Sequence, residues 1–160
     1  SCKVIGMKGS MKSGIGTASI NLPGGIVVGA IVAVNAFGDV IDPNTGKILA
    51  GAVCPETGQF LNTVNFILSN ERKYDFAGTN TTIGVVATNA MLTKEQANRV
   101  AMMAHDGLAK TIRPVHTMMD GDTLFALSTG DIEGDITVIG CAAVEAVSRA
   151  VVNAVLFQKA

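Results

Sequence analysis

The sequence predicts one domain of mixed strands and helices, and three observations carry that reading. Strand-length apolar runs, punctuated by glycine, proline and asparagine, dominate the first half. Two longer stretches with helical apolar spacing follow. The chain is 48% apolar but only 4% aromatic and lacks tryptophan, while eighteen glycines join abundant alanine and valine. Such a composition packs backbones closely rather than filling space with large side chains. At 160 residues the chain is one domain's worth, large enough for a core.

The elements follow in order. Residues 1 to 20, SCKVIGMKGSMKSGIGTASI, read as a glycine- and serine-rich loop giving way to strand. IVVGAIVAVNAFGDV reads as a long strand, or two short ones kinked at Gly29. In IDPNTGKILAGAV, the Pro-Asn-Thr-Gly sequence marks a turn between two apolar runs. Residues 55 to 78 are polar and irregular, and NERKYDFAG is expected as a mobile, exposed loop ahead of Thr81. A strand is expected over Thr81 to Thr88.

The clearest helix comes next. Thr93-Lys94-Glu95-Gln96 is a capping box, in which the threonine hydroxyl accepts an early backbone N–H and Gln96 reaches back. Val100, Met103, Leu108 and Ile112, with alanines 97, 101, 104 and 109, supply its apolar face, and Pro114 closes it. TLFALST then alternates like a strand. Asp135 to Gln158 reads as a second helix, so poor in polar surface that it should be buried in the domain or against a partner.

Charge and cysteine usage exclude several classes. A net charge of −1 and a pI near 6.1 leave no electrostatic footprint for nucleic acid. The run Gly24 to Gly38 lacks charge but is too short for a membrane span, which needs about 20 apolar residues. Cys2, Cys54 and Cys141 are odd in number and widely spaced, so they suggest a reducing cytoplasm rather than a disulfide framework. That setting argues against glycosylation at Asn80-Thr81-Thr82, although these residues fit the acceptor pattern. The chain opens at Ser1 without methionine, as expected of a fragment or a processed start.

Few constellations carry chemistry. Gly14-Ile15-Gly16 leads into a strand and not a helix, so it misses a dinucleotide fingerprint, and Lys12-Ser13 precedes rather than follows the second glycine of a P-loop. No cofactor is expected. His105 and His116 are eleven residues apart, too far for usual metal spacing, and Met102 and Met103 are expected in the core. Asp120-Gly121-Asp122 reads as a turn before a strand, or as a carboxylate pair able to orient a nucleophile. Asn35, ending an apolar run, needs a hydrogen-bond partner; it caps its own turn or offers a side-chain N–H to an oxyanion. Asn80-Thr81 stands beside a glycine, where a chain could cut itself and expose a threonine amine.

Together, MKSGIGTAS, VGAIVAVNAFGDV, NTTIGVVATNA, RVAMMAHDGLAKTIRPVHTMMDGDTLFALSTG and the terminal alanine-valine helix resemble the self-processing aminopeptidases. That group includes L-aminopeptidase/D-esterases, β-peptidyl aminopeptidases and the nylon-oligomer hydrolase, which the Asn-Thr pair resembles most. The resemblance implies an α+β fold, an αββα sandwich, with this chain as the C-terminal half of a precursor. It implies a cut between Asn80 and Thr81, so that residues 1–80 end the α chain and 81–160 form the β chain. Thr81 becomes the nucleophile, with Asp120, Asp122, Asn35 and Lys12 matching the acidic pair, asparagine and lysine near it. Implied partners are the precursor's own N-terminal part, a small peptide or amide-oligomer substrate, and further αβ units in a homo-oligomer.

The residue types suit that chemistry. A threonine hydroxyl is a weak nucleophile and needs a base, which its own α-amine can supply. The amine's ordinary pKa of about 7.7–8.0 leaves a useful neutral fraction near neutrality, unlike a lysine at about 10.4. Before the cut Asp120 or Asp122 must assist instead. An acyltransferase of the ornithine acetyltransferase type, or a non-enzymatic oligomerisation module, is the alternative expectation.

Overall fold

A computed structural model describes residues 2–5, 9–69 and 80–157. The elements are β1 (Ile15–Asn21), β2 (Val27–Ala33), β3 (Asp39–Ile41), β4 (Ile48–Ala50), α1 (Thr63–Ser69), β5 (Ile83–Ala90), α2 (Lys94–Thr111), β6 (Ile112–Arg113), β7 (Thr123–Ile132) and α3 (Ile136–Leu156). One four-stranded sheet has the order β1-β2-β5-β7, and a smaller sheet has the order β4-β3-β6. β2 is antiparallel to both β1 and β5, whereas β5 and β7 run parallel. A parallel pair needs a long crossover, which α2 supplies.

Period-two alternation decides which face is covered. Val32 lies between Gly16 and Gly84, and Ala30 between Ala18 and Val86. These rows face the helical layer, where α3 packs on β1 and β2, and α2 packs on α3 and β7. Gly16 is needed for this approach, because a Cβ there would overlap the Ala150 carbonyl and the Ala154 backbone of α3. The small residues anticipated from composition therefore form the seam between sheet and helix.

The opposite face of the sheet is open. Ile15, Ile31, Ile83 and Phe125 project from it and are 47 to 66% exposed. In register, Ile31 lies between Thr17 and Val85, and Phe125 lies beside Val85. A contiguous apolar face of this kind marks a contact surface rather than a wet exterior. The architecture is α+β, with the four-stranded sheet, the smaller three-stranded sheet and a helical layer on the larger one among the described residues.

Several expectations change. The apolar run does not kink at Gly29, which pairs with Ser19 and Ala87 within the ladder. It divides at residues 34–38, whose backbone leaves the sheet to bond elsewhere. Residues 63–69, read as irregular, form α1, because Asn62 accepts the Asn65 N–H and buried Asp39 accepts the Thr63 N–H. Met102 is exposed rather than core. The strand after Thr81 begins only at Ile83, which places both threonines ahead of it. The expected mobile loop, NERKYDFAG, lies outside the described residues.

Other expectations hold. Asp42 to Lys47 closes a hairpin, with Gly46 at φ 71°. The Thr93–Gln96 box is present in both directions. α3 starts at Asp135, whose carboxylate accepts the Thr137 and Val138 N–H groups and is thereby held below the usual carboxylate range. This helix is long and apolar enough to cross a membrane by length and composition, yet over half of it is buried in the fold.

Candidate functional site

The site is assembled by strand register. Ile83 pairs with Thr123, and the parallel bridge Asn80–Asp120 extends the same offset below the strands. Thr81 therefore stands opposite Gly121, and Thr82 opposite Asp122. Backbone bonds follow this ladder: Gly121 N–H donates to the Asn80 carbonyl at 2.9 Å and Thr123 N–H to the Thr82 carbonyl at 3.0 Å. The Thr81 hydroxyl donates to the Asn80 carbonyl at 2.7 Å. That carbonyl thus receives two donors, one of them the hydroxyl beside it. Gly121 leaves space for this arrangement, since a Cβ would come 2.9 Å from Thr81 Oγ1.

The segment between β2 and β3 closes the other side. The Asn35 carbonyl accepts the Thr81 N–H at 2.9 Å, so the nitrogen of the Asn80–Thr81 bond is held by a fixed acceptor. Phe37 N–H donates to Asp120 Oδ1 at 3.1 Å, tying the same segment to the acidic pair. Asp120 Oδ2 accepts the Thr117 N–H and hydroxyl. Asp122 Oδ1 accepts the Thr82 N–H at 2.9 Å. Both carboxylates thus anchor backbone around Thr81, while its hydroxyl is engaged with the carbonyl. The turn expected at Asp120-Gly121-Asp122 lies one step earlier, closing from Thr117 to Asp120, and the motif itself runs extended beside Asn80–Thr82 with both carboxylates accepting backbone N–H groups.

Asn35 contributes through its main chain in a way the sequence did not suggest. Its side-chain oxygen accepts from Lys3 Nζ at 2.9 Å. Lys12 is exposed on the segment before β1 and makes none of these bonds. The ammonium beside Asn35 is therefore Lys3, from a short segment with no motif to single it out. Thr81, Asn80, Asp120, Asp122 and Asn35 are brought together, and no hydrogen bond among the described residues joins Lys12 to them.

Burial also marks the junction. Asn80 is 4% exposed, which leaves no room for a glycan. Among the described residues, Asn80 Oδ1 and Thr82 Oγ1, on either side of Thr81, are buried without hydrogen-bond partners. Each such atom costs about 1–3 kcal/mol.

His116 is the neighbour that the sequence reading passed over. Its Nδ1 lies 2.9 Å from Asp122 Oδ2, and its Nε2 lies 3.4 Å from His105 Nδ1. The signal for this contact in the sequence is a histidine six residues before a site carboxylate, not the spacing of the two histidines. Among the described residues no group of three or more His, Cys, Asp or Glu side chains is placed to hold a metal ion. A separate cleft of about 730 Å³ opens between β1, the Asp42–Asn44 turn and α3, and the Thr81 cluster does not line it.

Comparison with known proteins agrees with this architecture. The chain belongs to peptidase family S58, which it matches over residues 5–160. It is 44% identical over 164 residues to a protein of Mycobacterium leprae described as an uncharacterized aminopeptidase, covering 92% of this chain and 45% of that protein. It is 32% identical over 114 residues to the 6-aminohexanoate-oligomer endohydrolase of Paenarthrobacter ureafaciens, covering 69% of this chain and 32% of that protein. The L-aminopeptidase D-Ala-esterase/amidase of Ochrobactrum anthropi, described as a variant of the Ntn hydrolase fold, superposes with a TM-score of 0.60 at 21% identity. That match covers 91% of this chain and 40% of the solved one, and it carries the fold alone. The chain spans about half the length of the mycobacterial relatives it matches.

Proposed function

We propose that this chain carries the catalytic threonine of an amide hydrolase that cuts itself between Asn80 and Thr81. The carrying observation is the register that sets Thr81 against Gly121. It puts a hydroxyl and a backbone N–H on one carbonyl, with the adjoining nitrogen held by Asn35. In the cut, Thr81 Oγ bonds to the Asn80 carbonyl carbon, the C–N bond breaks, and the hydroxyl proton ends on the departing nitrogen. The Gly121 N–H is aimed at the oxygen on which charge develops. Water then hydrolyses the ester, leaving an Asn80 carboxylate and a free Thr81 amine beside its own hydroxyl.

That amine is the base for turnover. It removes the hydroxyl proton as Thr81 Oγ attacks a substrate amide, giving an acyl-enzyme that water resolves. The substrate is a small peptide cut at its N-terminal residue, or a short amide oligomer, as the names of the relatives suggest. Residues 1–80 close an α chain and 81–160 form the β chain. The open sheet face is covered by the N-terminal part of the same precursor, and αβ units assemble into a homo-oligomer.

The test uses the complete protein that contains this chain. Denaturing mass spectrometry should find a chain beginning at Thr81, and the protein should release product from alanine p-nitroanilide or a 6-aminohexanoate oligomer. Thr81→Ala should abolish both. A folded, complete protein with an uncut Asn80–Thr81 bond and no hydrolysis would point to the non-enzymatic module instead.

A further inference from the structure

We infer that His116 is a positioning residue for the Thr81 site: backed by His105, it holds the carboxylate of Asp122 in the orientation that anchors the backbone of Thr82. The inference rests on the Thr81 reading and adds a residue pair to it.

The geometry forms a continuous line. Thr82 N–H donates to Asp122 Oδ1, and Asp122 Oδ2 meets His116 Nδ1. His116 Nε2 meets His105 Nδ1 on α2, with ring centroids 5.0 Å apart and planes tilted by 59°. The Asp122 side chain is 2% exposed, against 39% for His116. A buried carboxylate needs donors on both oxygens, and here one comes from the nucleophile's neighbour and the other from an imidazole. An ionised Asp122 accepts only, which fixes a proton on His116 Nδ1. In the neutral state His116 Nε2 then accepts from His105 Nδ1–H. When the pair takes up a proton, His116 Nε2–H donates to His105 instead. The bond to Asp122 is kept in both states.

Two further observations agree. His116 has φ 53°, in the left-handed region that a non-glycine residue occupies at some cost. Asp120 ties down the preceding turn through Thr117, so the loop carrying His116 is built around the acidic pair. The titratable groups in contact with His116 are Asp122 before β7 and His105 on α2, and Asp106 on α2 acts on His105. Burial and then His116 hold the His105 imidazole below its ordinary pKa, with Asp122 and Asp106 opposing.

The consequence is specific. Without the His116 donor, one oxygen of the buried Asp122 carboxylate is left unpaired and the contact that fixes its orientation is gone. Thr82 and the adjoining hydroxyl then lose their anchor.

The experiment compares wild type, His116→Ala, His116→Asn, Asp122→Asn and the His116→Ala/Asp122→Asn double variant in the complete protein. Readouts are the fraction cut at Thr81, kcat and KM on alanine p-nitroanilide across pH, and histidine ¹⁵N resonances. His116→Ala should lower kcat by about tenfold to a hundredfold, the scale of a misplaced reacting group, with KM little changed. His116→Asn supplies a neutral donor and suits the left-handed backbone, so it should restore most of the rate. The double variant should be little worse than Asp122→Asn, because both changes remove one interaction. In wild type, His116 should show the Nδ1–H tautomer, a readout that remains if His116→Ala fails to fold.

An unchanged kcat in folded His116→Ala, an Nε2–H tautomer at His116, or a folded asparagine variant as impaired as the alanine one would each overturn the inference while leaving Thr81 in place. A wild type that neither cuts nor hydrolyses overturns the Thr81 reading and this one with it.

Discussion

The N–H of Gly121 meets the carbonyl oxygen of Asn80 at 2.9 Å, and the space a Cβ would fill at Gly121 belongs to the Thr81 hydroxyl. Parallel pairing of β5 with β7 creates this relationship. It joins two short sequences forty positions apart, NTT and DGD, into one site.

Gly121→Ala is therefore expected to damage chemistry more than folding. The added methyl displaces Thr81 Oγ1 and tilts a donor aimed at the neighbouring carbonyl. Loss of one such donor commonly costs about 10²–10³ in rate. Self-cleavage followed by gel or mass spectrometry should slow by at least about tenfold, with the urea midpoint little altered. Cutting at the wild-type rate would remove Gly121 from the mechanism.

Asp39 should matter to stability instead. Its buried carboxylate accepts the Ala52 N–H, the Thr63 N–H and the Thr63 hydroxyl, joining β3 to the start of α1. Hydrogen bonds to a charged group contribute about 1.5–3 kcal/mol each. Asp39→Ala should lower unfolding free energy by about 3 kcal/mol or more, measured by urea titration, whereas Thr63→Val should lose a smaller part.

The three cysteines should label in sequence. Burial, and then the charge of Asp39, push the Cys2 thiol up to about 12, and its Sγ donates to the Gly38 and Ala50 carbonyls. A thiol needs its thiolate to react. With a disulfide reagent near pH 8, exposed Cys141 should react first, half-buried Cys54 more slowly, and Cys2 only on unfolding. Prompt reaction at Cys2 in the folded protein would contradict the packing of the first residues against residues 36–50.

His105 gives stability a pH dependence of definite sign. Its folded pKa is depressed, so below about 6.5 the unfolded chain binds more protons than the folded one. Its contribution is present above about pH 6.5 and is lost as pH falls toward the depressed value. Urea midpoints between pH 7.5 and 5 should decline less steeply in His105→Gln than in wild type. Identical slopes would mean that this imidazole is not held neutral by the fold.

Local chemistry was legible in the sequence wherever one segment decides it. The Thr93–Gln96 box, the Asp42–Lys47 turn and the apolar α3 depend on neighbours a few positions away. The grouping of Thr81 with Asp120 and Asp122 was legible through motif resemblance, and the strand register brings these residues together. Contacts made only by tertiary register were not. Lys3 reaches Asn35 across 32 positions, and His105 reaches His116 because α2 folds back along the sheet. Residues 34–38 resembled more strand, yet their backbone is withdrawn from the ladder to bind Cys2, Thr81 and Asp120. Spacing along one chain carries no trace of such meetings.

The order of strands also bears on when the proposed cut can happen during biosynthesis. β1 and β2 come before Thr81, β5 and β7 after it, and α3 lies across β1 and β2. A ribosome releases α3 last among these elements, so the early strands lack their cover until translation has passed it. The register that aligns Asn80 with Gly121 likewise awaits β7. A nascent chain would therefore be protected from premature scission, and the cut would report that synthesis of this half is complete. Once made, it would leave two polypeptides sharing one sheet along the β2–β5 seam, with α3 of the second lying over β1 and β2 of the first.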